Sequence, residues 1–133
     1  MSAFIDTSAF YAVLDRDDGN HAAAREVWFR LLSEHVPLLT SNYVLVETYA
    51  LLRARLGMRA VRRFANDVGP VVQMTWIRPE DHDAALQAFL VSGRQSTSLV
   101  DCASFQIMRR MGISEAFAFD RHFRQQGFRV IVA

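Results

Sequence analysis

The stretch SAFIDTSAFYAVL, residues 2–14, decides the fold, because an apolar run, an acid and a helix-like segment follow one another in it. The run SAFID, residues 2–6, is predicted to form a short buried strand, with apolar residues at 3–5. The segment after Asp6 has helical spacing, with Thr7 or Ser8 available as its cap. Asp6 therefore lies where a buried strand meets a helix. It is either a capping residue or a ligand of a metal site.

The same alternation continues along the chain. Further strands are predicted within residues 36–41, 70–77, 115–119 and 128–133. Helices are predicted over residues 21–34, 42–57, 58–69, 79–91, 99–112 and 120–127, and a polar loop over residues 92–98. Apolar strands that alternate with helices indicate a parallel sheet covered by helices on both faces, an α/β/α sandwich. We expect a single domain over residues 1–133.

Composition excludes several classes of site. The chain is 51% apolar and 22% charged, as is ordinary for a globular protein, and no apolar stretch approaches the ~18 residues of a membrane span. Without a signal-peptide pattern and with one cysteine, Cys102, the chain is expected in the cytoplasm and away from membranes. All 15 basic residues are arginine, which excludes a P-loop lysine, a Schiff-base lysine and the lysine of receiver domains.

Four acids stand out by their positions. Asp6 and Asp120 follow predicted strands, and Asp101 lies in the first turn of a predicted helix. Glu47 is the only charge between Asn42 and Leu52, on the same helical face as apolar neighbours. In parallel sheets, ligands bind outside the carboxyl ends of the strands. We therefore expect these side chains to meet at one edge of the sheet.

Each acid also has a purely structural explanation. Asp6 and Asp120 are good helix caps, and Ser98 with Asp101 has the spacing of a capping box. Glu47 has no arginine within one helical turn, so its carboxylate needs either a distant arginine or a cation. A cluster of like charges is stable only when a cation offsets it, and oxygen ligands suit Mg²⁺ or Mn²⁺ better than zinc.

The motifs FIDTSAFYAVLD, SNYVLVETYALL, SLVDCASFQIMRRMGI and AFAFDRHFRQQGF resemble the four acidic motifs of PIN-domain proteins, and the last is similar to that of VapC-type toxins. The resemblance spans essentially the whole chain. It implies a PIN fold and a Mg²⁺- or Mn²⁺-dependent endoribonuclease whose carboxylates are Asp6, Glu47, Asp101 and Asp120. It also suggests supporting roles for Thr7, Ser8 and Ser98.

The resemblance further implies partners. VapC-type toxins are normally homodimers that cleave RNA and are inhibited by a small VapB-like antitoxin, which covers the groove beside the site and often inserts an arginine. Arg121 and Arg124, close to Asp120 in sequence, are candidates for guiding the RNA backbone. Arginine on a helix is more often simply solvated.

Other interpretations stay open from sequence alone. Cys102 is expected to be a buried core residue rather than a nucleophile. His122, next to Asp120 in sequence, could aid catalysis or bind phosphate, but it is expected to be a partly exposed helix residue. A receiver-type phosphoacceptor domain shares the acids at strand ends, although the missing lysine and the position of Glu47 count against it. A non-catalytic PIN-like module and a housekeeping PIN nuclease without an antitoxin are the remaining alternatives.

Overall fold

Five short strands form one parallel sheet in the computed structural model, which describes residues 1–93 and 97–132. The strands are β1 (Ala3–Ile5), β2 (Leu38–Ser41), β3 (Gln73–Thr75), β4 (Glu115–Phe117) and β5 (Arg129–Val130). Their order across the sheet is β3-β2-β1-β4-β5, with Phe4 of β1 opposite Leu39 on one side and Ala116 on the other. The predicted parallel sheet is confirmed.

Helices connect the strands. They are α1 (Thr7–Leu14), α2 (His21–Ser33), α3 (Asn42–Leu56), α4 (Met58–Arg63), α5 (Pro79–Ser92), α6 (Leu99–Met111) and α7 (His122–Gln125). The helix predicted over residues 58–69 is α-helical only to Arg63, and a π-helical turn (Phe64–Val68) and a 3-10 turn (Gly69–Val71) follow it. The predicted loop over residues 92–98 lies partly outside the described residues, as does the last residue of the final predicted strand.

Both faces of the sheet are covered. Successive residues of a strand point to opposite faces, yet Ala3, Phe4 and Ile5 of β1 are all buried. Edge-to-face aromatic pairs fill the space beside the sheet, among them Phe10 with Phe64, whose ring centroids are 4.9 Å apart. The α/β/α sandwich expected from sequence is confirmed. Among the described residues, none of the helices has the length and apolar character that crossing a membrane requires.

The order of the strands fixes where a ligand can bind. The chain builds outward from β1 to β2 and β3, and then returns to add β4 and β5 on the other side of β1. The connections therefore diverge between β1 and β4. In open parallel sheets, such a switch point leaves a crevice at the carboxyl ends of the two strands.

An ion pair between exposed Arg110 and buried Asp81 fixes helix α6 against α5. Arg110 donates to both carboxylate oxygens of Asp81, at 2.9 and 3.0 Å, and the Arg78 amide donates to the same side chain at 3.0 Å. Although burial raises the pKa of Asp81, these hydrogen bonds and the charge of Arg110 lower it more. The pair holds in place the helix that carries Asp101.

Candidate active site

A cleft of about 540 Å³ lies at the switch point, and all four predicted acids line it. Asp6 comes from the end of β1, Glu47 from α3, Asp101 from the first turn of α6, and Asp120 from the loop after β4. We call these four residues the acid cluster. The sequence prediction that they meet at one edge of the sheet is confirmed.

Asp6 is itself the cap of helix α1. Its Oδ2 accepts hydrogen bonds from the Ser8 amide at 3.1 Å and from the Ser8 hydroxyl at 2.7 Å. The prediction that Thr7 or Ser8 caps this helix was wrong, because the extended backbone at Asp6 places its carboxylate over the first turn. The Ser8 hydroxyl also accepts from the Phe119 amide at 3.0 Å, which ties this end of β1 to the loop after β4.

Asp101 is held by the predicted capping box. The Ser98 amide donates to Asp101 Oδ2 at 3.0 Å, and the Asp101 amide donates to the Ser98 hydroxyl at the same distance. The box orients the carboxylate toward the cleft while Ser98 lines the cleft wall. Ser98 thus positions the Asp101 side chain through these two hydrogen bonds.

Asp120 differs in two respects from what its sequence context suggested. Strand β4 ends at Phe117, so Asp120 does not follow it directly but lies three residues later, at the end of a short loop. Its Oδ1 accepts from the His122 amide at 2.8 Å and lies 2.6 Å from His122 Nδ1. Asp120 is therefore not the N-cap of α7, which is Arg121, but it accepts a hydrogen bond from the first amide of that helix.

His122 is part of the site, and the expectation that it is partly exposed was wrong. Its exposed fraction is 8%, because the short helix α7 packs its first two residues, His122 and Phe123, inward. His122 Nδ1 also lies 3.7 Å from Asp101 Oδ2. One potential ligand atom from each of Asp101, Asp120 and His122 lies within 4.8 Å of the other two. The only sequence signal was the two-residue spacing of Asp120 and His122.

Glu47 lies on the cleft side of α3 and is half-buried. Its neighbour at i−3, Val44, is fully buried, whereas Ala50 at i+3 is exposed, so Glu47 is at the border of the apolar face. Among residues 1–93 and 97–132, no arginine forms an ion pair with Glu47. The structure thus offers no arginine partner in the part of the chain that it describes.

Burial makes negative charge costly in this cluster. Desolvation raises the pKa of Asp6 to about 7, against the two hydrogen bonds from Ser8, and the charges of Asp101 and Glu47 add to the rise. Burial also raises the pKa of Asp101, opposed by the Ser98 amide and supported by the charge of Asp120. A divalent cation would remove this penalty, since it favours the ionised carboxylates.

Three of the four carboxylates each use only one of their two oxygen atoms in hydrogen bonds among the described residues. In the described part of the chain, Asp6 and Asp101 accept hydrogen bonds through Oδ2 alone, and Asp120 through Oδ1 alone. The second oxygen of each carboxylate is therefore available inside the cleft. Capping and metal binding are compatible uses of the same side chain, and the donor set fits a divalent ion.

The remaining candidates have simpler roles. The Thr7 hydroxyl donates to the Val44 carbonyl at 3.4 Å and accepts from Thr48 at 3.2 Å, so it joins α1 to α3 at the cleft wall. Cys102 is buried, as predicted. Arg121 and Arg124 are exposed and lie outside the set of residues that line the cleft.

Comparison with known proteins identifies the family. Residues 3–129 match the PIN domain. The chain belongs to the PIN-domain family. It is 35% identical over 126 residues to the 23S rRNA-specific endonuclease VapC20 of two Mycobacterium tuberculosis strains, which covers 94% of each chain. It is accordingly an endoribonuclease of the VapC toxin type. The alternative that the chain is a receiver-type phosphoacceptor domain was therefore wrong.

Solved structures agree with this family. The crystal structure of M. tuberculosis VapC20, described as a sarcin-ricin loop cleaving toxin, superposes with a TM-score of 0.87 at 33% identity, over 99% of this chain and 100% of that one. The structure of FitAcB from Neisseria gonorrhoeae has a TM-score of 0.70 at 11% identity, over 97% and 96% of the two chains. The second likeness concerns the fold alone.

Proposed function

We propose that the acid cluster binds Mg²⁺ or Mn²⁺ and that this PIN-domain toxin hydrolyses RNA phosphodiester bonds there. One observation carries the proposal: four carboxylates from separate parts of the chain line one cleft, and three of them use only one oxygen in hydrogen bonds. Oxygen ligands of this kind suit Mg²⁺ and Mn²⁺. A group of Asp101, Asp120 and His122 supports divalent-metal binding without naming the ion.

The chemistry assigns little to any side chain beyond binding and positioning. A divalent cation in such a site lowers the pKa of a bound water and offsets negative charge on the phosphate. Ser8 and Ser98 hold Asp6 and Asp101 through the bonds described above, and His122 holds Asp120. Pre-oriented ligands of this kind need no rearrangement during the reaction. No side-chain nucleophile is required, which agrees with the buried position of Cys102.

We propose a single-stranded loop of ribosomal RNA as the substrate. The relatives that are 35% identical to this chain are named 23S rRNA-specific endonucleases. Unpaired loops are also the regions of RNA whose bases and backbone a protein cleft can reach. Arg121 and Arg124 are proposed to contact the RNA backbone outside the cleft, and Thr7 to support the cleft wall.

Product analysis tests this reaction. Purified protein is incubated with 23S ribosomal RNA and with an unrelated messenger RNA, each with Mg²⁺ or Mn²⁺. Because water is the proposed nucleophile, we expect fragments that end in a phosphate and a free hydroxyl, cut at one position of the ribosomal RNA. Fragments with 2′,3′-cyclic phosphate ends would contradict hydrolysis by water, since they form when the ribose 2′-hydroxyl attacks.

We propose the family's partners for this chain as well. A small VapB-like antitoxin is proposed to cover the cleft and inhibit the enzyme in the cytoplasm, and two copies of the chain, each a single domain over residues 1–133, to form a homodimer. Large apolar side chains that are exposed, such as Trp76 and Val91, support burial against another chain. A housekeeping nuclease without an antitoxin is the alternative, and a failure of any small co-encoded protein to inhibit cleavage would favour it.

A further inference from the structure

The cleft has a second end that the acid cluster does not occupy. Besides the four acids, its wall includes Tyr11 and Arg55, together with Asp18 and Asn20. Arg55 lies in the last turn of α3, eight residues after Glu47, which corresponds to about 12 Å along the helix axis. Arg55 therefore lies about two helical turns from Glu47 along the cleft wall.

The Arg55 guanidinium is held by an aromatic ring. Its central carbon lies 5.3 Å from the centroid of the Tyr11 ring, within the range of a cation–π contact. The Tyr11 hydroxyl in turn donates to Asp15 Oδ2 at 2.6 Å, and the Asp17 amide donates to Asp15 Oδ1 at 3.0 Å. Asp15 thus has its own donors, and the ring below Arg55 is fixed.

The Arg55 side chain hydrogen-bonds to Tyr11, and its charge adds to the lowering of the Asp15 pKa that the Tyr11 hydroxyl causes. Among the described residues, no carboxylate forms an ion pair with Arg55, and no other basic side chain lines the cleft. Five acidic side chains line the same cleft, which by themselves would repel the phosphates of an RNA strand. A guanidinium that is held in place without an ion pair is well suited to a phosphate, because its planar fork matches two phosphate oxygens.

We propose that Arg55, held over Tyr11, binds a backbone phosphate that flanks the bond being cleaved. The subsite draws the strand into a cleft that is otherwise acidic and fixes which phosphate reaches the acid cluster. The inference rests on the proposed reaction at that cluster and adds a positioning contact to it. Groove-lining arginines of this kind bind RNA largely irrespective of base sequence.

Arg53 provides a matched control for the test. Arg53 and Arg55 are both exposed and lie in the last turn of α3, so each interacts similarly with the helix dipole. Residues two apart on a helix point in different directions, and Arg53 is not among the residues that line the cleft. Replacing either by glutamine therefore removes the same charge from the same helix end.

Kinetics of Arg55→Gln and Arg53→Gln with a ribosomal-loop RNA in Mn²⁺ measure the contact. We expect Arg55→Gln to raise KM about tenfold with kcat nearly unchanged, and Arg53→Gln to leave both nearly unchanged. The negative slope of log(kcat/KM) against log salt should become shallower by about 0.7 in Arg55→Gln, as for one lost single-strand phosphate contact. Arg55→Lys should restore part of the binding, because it keeps the charge but not the fork.

A neutral methylphosphonate placed at one RNA position at a time locates the phosphate. We expect one flanking position at which the substitution weakens binding by the unaltered protein and has no further effect on Arg55→Gln. Equal losses in Arg55→Gln and Arg53→Gln, or persistence of every methylphosphonate effect in Arg55→Gln, would overturn the subsite while leaving the reaction intact. No cleavage by the unaltered protein would instead overturn the reaction and the subsite together.

Discussion

Asp101→Asn is expected to reduce the rate of RNA cleavage by about 10³-fold or more. Asparagine keeps an oxygen that can accept from the Ser98 amide, so the capping box and helix α6 should persist. What the change removes is the negative charge and one proposed metal ligand. The measurement is the single-turnover cleavage rate in Mn²⁺, with the unfolding free energy measured alongside.

Asp83→Asn is the matched control for that variant. Asp83 is exposed on α5 and does not line the cleft, so it loses the same charge without touching the acid cluster. We expect its cleavage rate to stay within about twofold of the unaltered protein, as for most surface changes. Full activity in Asp101→Asn, with its fold intact, would show that Asp101 is a cap and nothing more.

Asp6→Asn should stabilise the metal-free protein at pH 8 while abolishing its cleavage activity. The pKa of Asp6 in the folded protein is about 7, above its ordinary value of 3.8. A carboxyl shifted upward favours folding below pH 4, and this contribution is lost as the pH rises toward 7. Linkage limits this loss in the free energy of unfolding to about 4 kcal/mol. We therefore expect the free energy of unfolding of Asp6→Asn to exceed that of the unaltered protein by about 2–4 kcal/mol at pH 8.

Denaturant unfolding in EDTA at pH 4, 6 and 8 measures that gain. The difference in unfolding free energy between Asp6→Asn and the unaltered protein should increase with pH. Asp17→Asn, in the exposed turn after α1, should show no such increase. Adding Mn²⁺ should reverse the order by stabilising the unaltered protein more than Asp6→Asn. An Asp6→Asn protein that is less stable than the unaltered one at pH 8 in EDTA would contradict the electrostatic cost assigned to this carboxyl.

Much of the fold was predictable because local patterns determine it. The apolar run before Asp6 and the helical spacing after it are short-range signals, and they predicted β1 and α1 correctly. The parallel sheet was predicted because the strands are apolar throughout instead of alternating between apolar and polar residues. The order β3-β2-β1-β4-β5 depends on which strands pair over long range, and no local pattern in the chain predicts that.

The site was predictable in its acids and less so in their surroundings. Asp6, Asp101 and Asp120 were recognisable because each follows a predicted strand or begins a helix. Glu47 was recognisable because it is the only charge in an apolar helical segment. His122 was missed because its burial comes from the way α7 packs, which the sequence of a four-residue helix does not reveal. Arg55 was missed for a similar reason, since its position over Tyr11 depends on the contact between α1 and α3.

The choice between cap and ligand at Asp6 also required the structure. The sequence allowed capping as a secondary role beside metal binding, and the structure shows that capping uses Oδ2, with no hydrogen bond to Oδ1 among the described residues. Asp101 and Asp120 likewise accept hydrogen bonds through only one carboxylate oxygen each among the described residues. Hydrogen bonding to nearby backbone amides is therefore compatible with the metal-ligand role proposed for these carboxylates.

Titration of EDTA-treated protein with Mn²⁺ tests the proposed metal site most directly. Bound Mn²⁺ is measured by electron paramagnetic resonance, and RNA cleavage is measured at the same concentrations. We expect no cleavage without the ion, a rate that rises in proportion to the bound fraction, and loss of both in Asp101→Asn. Cleavage at an undiminished rate in EDTA, with no Mn²⁺ bound, would contradict a metal-dependent reaction at the acid cluster.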